Sequence, residues 1–139
     1  MNNANNDTTV FTMNSDSIDN DNNSIITKQF ELDCDDIKIV GEVINLNKSV
    51  FVNINKNGTS PRLGCLVVGM ETRFEALPLT TTLIAGDTIE SELMINTISK
   101  RLSKKFHIQA FVSSSLIIQD PIIIEKIIEK IIESIIIIQ

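Results

Sequence analysis

The stretch Leu77–Ser103 reads LPLTTTLIAGD and then TIESELMINTISKRLS, and its hydrophobic period changes near Gly86. Before Gly86, the threonine, leucine and isoleucine run at residues 80–84 predicts a strand. After it, apolar residues recur at helical spacing. The face expected to be buried comprises Ile89, Leu93, Met94, Ile98 and Leu102. A strand that leads directly into an amphipathic helix indicates a structural core, with no sign of a catalytic loop.

The ends of this helix carry recognisable signals. Asp87 stands where the N-cap is expected, and Glu90 follows three residues later, as in a capping box. The last turns are basic, which suits the helix dipole. The basic residues are Lys100, Arg101, Lys104 and Lys105. They complement a helix C-terminus, or they form a patch that docks an acidic partner; the sequence leaves both interpretations open.

Five further strands are predicted on either side of this unit. They cover residues 25–32, 37–46, 49–54, 63–69 and 107–112. The first three are joined by brief turns, as in an antiparallel meander. Gly41 interrupts the second of them and is interpreted as a possible β-bulge. The predicted fold class is α+β, with a six-stranded antiparallel sheet and two amphipathic helices.

The second helix is predicted at the C-terminal end. Asp120-Pro121 is a helix start, because proline suits the first helical position. The following isoleucine pairs repeat every four residues and form a broad apolar stripe, which must be buried on the protein's own sheet or on another chain. The stripe comprises Ile124, Ile127, Ile128, Ile131, Ile132 and Ile135. The helix is expected to end near Ser134, and the interspersed charges exclude a membrane span.

The chain divides by composition into three parts. Residues 1–24 are rich in Asn and Asp and poor in apolar side chains, so we expect a disordered tail. Residues 25–134 form the predicted domain, and residues 135–139 are an isoleucine-rich end. With 139 residues in total, a single domain is expected.

Charge and cysteine content limit the classes of function. The net charge is −6, which disfavours general binding of nucleic acid or an anionic membrane. Cys34 and Cys65 are widely separated, and no apolar signal sequence is recognised at the N-terminus. We therefore expect two free thiols and a reducing, intracellular compartment.

No catalytic constellation is found in the sequence. The single histidine, His107, is predicted at the start of a strand, with no carboxylate at a telling spacing. Cys34 is flanked by acidic residues, which disfavour its thiolate, and Cys65 lies in an apolar strand. Metal-ligand spacings and phosphate-binding loops are missing as well. The prediction is a non-enzymatic interaction module without a cofactor or a metal.

Six segments occur in a recognisable order along the chain. They are TKQ at 27–29, VFV at 50–52, LGCLV at 63–67, PLTTTLIAGD at 78–87, the strand at 110–112 and the helix from Asp120. In this order and composition the sequence resembles the proteasome assembly chaperone 3 family of small eukaryotic proteins. The resemblance covers about residues 25–134 and rests on distributed spacing and residue type. The N-terminal tail, the basic cluster and the isoleucine content depart from the family.

The resemblance implies a function. Members of that family have a six-stranded antiparallel sheet with two helices and pair with the related proteasome assembly chaperone 4. The pair binds α-subunits of the 20S proteasome, guides early α-ring formation and leaves before the particle matures. The resemblance implies no catalysis and no cofactor. A cytoplasmic location is expected, with the nucleus as a second compartment, and a homodimer is conceivable when the chain is alone.

Two surfaces are predicted to bind partners. The first is the polar loop at residues 55–62, with the candidate residues Asn55, Lys56, Asn57, Gly58, Thr59, Ser60 and Arg62. The second is the outer face of the C-terminal helix, with Lys126 and Lys130. Exposed loops and edges commonly carry such contacts.

Two other functions remain open at this point. One is a small dimeric scaffold of the roadblock or profilin-like kind in trafficking or on the cytoskeleton, because fold alone does not decide function. The other is a small hydrolase or transferase that depends on His107.

Overall fold

The computed structural model of this chain describes residues 8–12, 24–34, 36–58 and 64–135. These residues form seven strands and two helices. The strands are β1 (Thr8–Thr12), β2 (Ser24–Cys34), β3 (Ile37–Asn45), β4 (Ser49–Lys56), β5 (Cys65–Met70), β6 (Leu79–Ile84) and β7 (Gln109–Ser114). The helices are α1 (Ile89–Phe106) and α2 (Pro121–Ser134). The predicted α+β class with two helices is confirmed.

All seven strands lie in one sheet, in the order β1-β2-β3-β4-β7-β5-β6. The strands β2, β3 and β4 form the predicted antiparallel meander. The prediction of a wholly antiparallel sheet is wrong, because β4 and β7 pair in parallel at the centre. This pairing joins strands that are more than fifty residues apart, and strand periodicity carries no information about the direction of such a neighbour.

The first strand corrects the prediction for the N-terminal tail. Thr8–Thr12 pairs with β2 in antiparallel register, Val10 opposite Ile26, so these five residues are not disordered. A short run with apolar residues can add to a sheet edge even within a polar segment, because the existing strand supplies half of the hydrogen bonds. Residues 1–7 and 13–23 of the predicted tail lie outside the described residues.

Both helices pack on the same face of the sheet. The core contains Val43, Val52, Val67 and Val112 from four adjacent strands, together with the buried side of each helix. From α1 it contains Met94, Ile95, Ile98 and Leu102, and from α2 it contains Ile127, Ile128 and Ile131. Helix α1 covers β5 and β7, and α2 covers β2 and β3. One layer of helices on one side of a sheet therefore holds the whole core.

Helix α1 differs from its prediction at both ends. Thr88, and not Asp87, is the N-cap, and its hydroxyl accepts from the Ser91 amide at 3.2 Å. The Glu92 carboxylate accepts from the Gly86 amide at 3.0 Å and so satisfies a further backbone donor. His107 is the left-handed C-cap residue, with φ 57°, and β7 begins only at Gln109.

The predicted buried face of α1 is also only partly correct. Met94, Ile98 and Leu102 are fully buried, whereas Ile89 and Leu93 are exposed. The spacing of apolar residues places all five near one stripe, but the sheet under the first turns of α1 extends only as far as β6. The edge of the stripe therefore has no strand beneath it in the described part of the chain.

Helix α2 agrees with its prediction. The Asp120 carboxylate accepts from the Ile122 amide at 2.9 Å, Pro121 occupies the first turn, and the helix ends at Ser134. The isoleucine stripe is buried on the protein's own sheet. No helix in the described ranges is both long enough and apolar enough to cross a bilayer.

Gly41 is not a bulge. It lies opposite Phe30 on one side and Ile54 on the other without a shift of register. A Cβ at this position would lie 2.1 Å from Cζ of the Phe30 ring. The glycine is therefore needed because the aromatic ring of the neighbouring strand lies across its backbone.

Candidate functional site: the open face of the sheet

Both helices pack on one face of the sheet, and no described helix or strand forms a second layer on the opposite face. We call it the open face. Cross-strand partners share a face, so one row can be followed across the sheet through successive registers. The row is Thr27, Ile44, Phe51, Phe111, Val68 and Thr81, from β2 to β6. Its four central members are apolar, and the rings of Phe51 and Phe111 stack with centroids 6.3 Å apart.

A second, more polar row lies beside the first. It comprises Gln29, Glu42, Asn53, Ser113, Leu66 and Ile84. Asn53 Oδ1 and Ser113 Oγ are buried, and neither has a hydrogen-bond partner among the described residues. Buried polar atoms are normally paired in native proteins. Ser113 is fully buried within this chain, so a partner does not reach its unpaired hydroxyl.

Charged residues border the open face at β2 and β3. Lys38 and Glu31 form an ion pair at 3.0 Å, with side chains that are 40% and 63% exposed. The hydrogen bond and the charge of Glu31 raise the pKa of Lys38 above its ordinary value. An apolar centre with a polar border is the usual anatomy of a protein–protein interface.

The sequence carries a signal for this face that the strand predictions did not use. Strand β4 reads SVFVNINK, in which Val50 and Val52 face the helices while Phe51 faces outward. A sheet with one solvated face should alternate apolar and polar residues, whereas apolar residues in both registers are typical of strands covered on both faces. The run therefore indicates a second covering layer that the described residues do not provide.

The structure separates the predicted loop residues. Asn55 and Lys56 belong to β4, so the prediction of a loop at these two positions is wrong. Asn55 is buried on the open face, where its Oδ1 accepts from the Ser115 hydroxyl at 3.0 Å. The Asn57 amide donates to the Lys38 carbonyl at 2.8 Å, and Gly58 makes the turn with φ 91°. Thr59, Ser60 and Arg62 lie outside the described residues.

Lys126 and Lys130 lie elsewhere on the molecule. Both are on α2, on the other side of the sheet from the open face; Lys126 is exposed and Lys130 is partly exposed. The structure thus does not bring the two predicted surfaces together. Partner binding by these residues stays a prediction.

The groups considered for chemistry are not assembled into a site. Burial raises the pKa of the Cys65 thiol, and the nearby Glu92 charge raises it further. His107 Nδ1 lies 2.7 Å from Glu71 Oε1 in an exposed pair at the end of α1. Among the described residues no three His, Cys, Asp or Glu side chains are placed to hold a metal ion.

Comparison with protein families adds a decisive observation. The family model of proteasome assembly chaperone 4 matches residues 38–116, which are 79 of the 139 residues and span β3 to β7. The chain belongs to the proteasome assembly chaperone 4 family. This membership supports a role in proteasome assembly, and the family suggests a non-enzymatic one.

The resemblance to an assembly chaperone is thus confirmed at the level of the wider group. The family model that matches is that of chaperone 4, and the resemblance to the chaperone 3 family in particular is not confirmed. Among the curated proteins, no sequence matches this chain.

The fold is similar to that of a solved assembly chaperone. A chain from the crystal structure of a novel chaperone complex for yeast 20S proteasome assembly superposes with a TM-score of 0.61. The two chains share 13% sequence identity, over 79% of this chain and 94% of the yeast-complex chain. At 13% identity this likeness shows that the two chains share a fold.

Proposed function

We propose that this chaperone 4 family member is a non-catalytic chaperone of 20S proteasome assembly that acts as one half of a heterodimer. Its partner is a related small chaperone. The resemblance implied a pair of chaperone 3 and chaperone 4. Because this chain matches chaperone 4, its partner in such a pair is a chaperone 3-like protein. The dimer binds α-subunits during early α-ring formation. It acts in the cytoplasm, and in the nucleus as well.

The observation that carries the proposal is the apolar open face. Phe51, Phe111 and Ile44 are only partly buried in this chain and form one continuous row. Burying apolar area contributes about 25 cal/mol per Å². Packing of the open face against a partner sheet would therefore supply a large part of the binding free energy.

The dimensions of the face also suit a partner sheet. Six strands about 4.8 Å apart and about six residues long make a face of roughly 25 by 20 Å. That is of the order of the ~800 Å² that each partner buries in a standard interface. Sheets pack face to face about 10 Å apart, which leaves room for the interdigitated rings.

The α-subunit contact would use the remaining surface. If the open face is occupied by the related chaperone, the predicted loop near Gly58 and the outer side of α2 stay available for a client. An interface that must later dissociate should be modest in strength, because standard-sized interfaces already reach very high affinities.

The test is affinity capture of the tagged full chain from native extract, with mass spectrometry of the bound proteins. The expected result is proteasome α-subunits and one other small chaperone, without mature β-subunits. Recovery of trafficking or actin-associated proteins in place of α-subunits would contradict the proposal and favour the scaffold interpretation. Recovery of mature 20S particles would contradict a role confined to early assembly.

A further inference from the structure

Strand β6 forms one edge of the sheet. It pairs with β5 only, and no other described strand lies beside it. Half of the backbone N–H and C=O groups of an edge strand point away from the sheet and can pair with a further chain. Edge strands are usually protected by charges, by proline or by a covering element. The sequence of β6 is LTTTLI, and residues 76–86 contain no charged side chain at all.

The surroundings of this edge are apolar. Leu83 of β6 is half exposed, and on the adjoining first turns of α1 Ile89 and Leu93 are 75% and 59% exposed. Helix α1 contacts β6, so Ile89 and Leu93 lie near this edge on the helical side of the sheet, whereas Leu83, two residues after Thr81, lies on the side of the open face. A strand added to β6 would cover leucine and isoleucine side chains as well as backbone groups.

The charge at one end of the edge is negative. Asp87 lies three residues after the end of β6, Glu90 lies in the first turn of α1, and both are exposed. Glu92, whose carboxylate is bonded to the Gly86 amide, adds a third acidic group at the same end. Residues 74–99 contain no lysine or arginine. A second copy of β6 therefore brings no basic residue of its own to this end.

We propose that the free edge of β6 is a docking site for an extended, apolar segment of a partner protein that carries lysine or arginine at the end next to Asp87 and Glu90. The segment adds an eighth strand to the sheet by backbone pairing. Its apolar side chains cover Leu83, Ile89 and Leu93, and its basic end meets the acidic group. The site is the backbone edge of β6, at the margin of the open face, and the inference does not depend on the proposed chaperone role.

The test uses the full chain and synthetic peptides. The probes are fluorescein-labelled peptides of alternating valine and threonine with two lysines at the N-terminal or the C-terminal end, and counterparts with two glutamates. The chain has no tryptophan or tyrosine, so the label on the peptide provides the signal. Binding is measured by anisotropy, and the site is mapped by chemical shifts of backbone amides.

We expect at least one lysine peptide to bind with shifts centred on residues 79–84. The matching glutamate peptide should bind about tenfold more weakly, since two surface ion pairs are replaced by repulsion. The double variant Asp87→Lys, Glu90→Lys should reverse this preference. The control Glu129→Lys, Glu133→Lys makes the same change of net charge on exposed positions of α2 and should leave the preference unchanged.

Several outcomes would overturn the inference. They are absence of binding at millimolar peptide, shifts that map to the open face or to β1, or an Asp87→Lys, Glu90→Lys variant that keeps the original preference. Self-association of the chain that Leu83→Lys abolishes, without peptide binding, would mean that a second copy occupies the edge. Because these measurements involve no proteasome subunit, their failure is separate from failure of the proposed function.

Discussion

Phe51 and Phe111 stack across the parallel pair β4–β7, with ring centroids 6.3 Å apart and an interplanar angle of 17°. The two residues are sixty positions apart in the sequence, and their rings lie at the centre of the open face. Because no helix among the described elements covers them, they are the natural anchor for a partner. Aromatic residues dominate the binding energy of many interfaces.

The first prediction concerns this pair. Phe111→Glu should weaken pairing with the co-purified small chaperone by about 2–3 kcal/mol, or roughly 30- to 150-fold. The reason is that a charge replaces an aromatic ring that becomes buried in the interface on pairing. Ile122→Glu is the control, since it introduces the same charge at an exposed position on α2. Affinity is measured by titration of the purified chains. Equal affinity of the two variants would exclude the open face from the interface.

The second prediction uses the unpaired hydroxyl of Ser113. Ser113→Ala should leave the stability of the isolated chain unchanged or slightly higher, because it removes a buried polar atom without a partner among the described residues. The same variant should leave pairing affinity unchanged, because Ser113 is fully buried within the chain and a partner does not reach its hydroxyl. Ser99→Ala is the contrast: its hydroxyl donates to the Ala110 carbonyl at 2.8 Å, so it should destabilise the chain itself. Chemical unfolding and pairing affinity are measured for both.

The third prediction concerns Gly41 and Phe30. Gly41→Ala should lower the free energy of unfolding by about 1–3 kcal/mol, because the new methyl group collides with the Phe30 ring. The collision should be smaller when Phe30 is replaced by leucine. A double-mutant cycle with Phe30→Leu, measured by urea unfolding, should therefore show a coupling of about 1 kcal/mol. Additive effects would mean that the ring does not lie over the glycine.

The fourth prediction distinguishes the two possible caps of α1. Thr88→Ala should cost about 1 kcal/mol of stability, because the Ser91 amide loses its acceptor. Thr88→Ser keeps the hydroxyl and should cost little. Asp87→Ala should have the smaller effect of removing one charge near the helix N-terminus. If thermal unfolding shows the larger loss for Asp87→Ala, the capping assignment is wrong.

The fifth prediction concerns the ion pair between the helices. Arg101 donates to both Glu125 oxygens, at 2.6 and 3.3 Å, and so connects α1 with α2. The hydrogen bond and the charge of Arg101 lower the pKa of Glu125, and the pKa of Arg101 is raised in turn. A carboxyl group whose pKa is lower in the folded state stabilises the fold at pH values above its pKa in the unfolded state. That contribution is lost as the pH falls through the lowered folded value.

Glu125→Gln should therefore reduce the melting temperature slightly at neutral pH and have no effect at a pH below both pKa values. The difference at neutral pH should shrink in high salt, because both side chains are about half exposed. Glu129→Gln on the same helix is the control for loss of a carboxylate. A pH-independent effect of Glu125→Gln would exclude the ion pair as its cause.

Most of the local structure could be predicted from the sequence. The change of period at Gly86 indicated both β6 and α1, and Asp120-Pro121 together with the isoleucine repeat indicated α2 to its last residue. These signals are local, since they depend on backbone preferences and on the spacing of apolar residues within one element. The family resemblance also depended on local signals, because it rests on short segments that occur in a fixed order along the chain.

Tertiary structure alone decided the features that depend on distant neighbours. The parallel pairing of β4 with β7 brings Phe51 beside Phe111, although nothing near either residue specifies the other. Ile89 and Leu93 match the buried stripe of α1, yet they remain exposed because the sheet ends at β6. The sequence by itself determined which elements form and which of their faces are apolar. The order of strands in the sheet determined which of those faces are covered, because burial depends on what lies opposite each side chain.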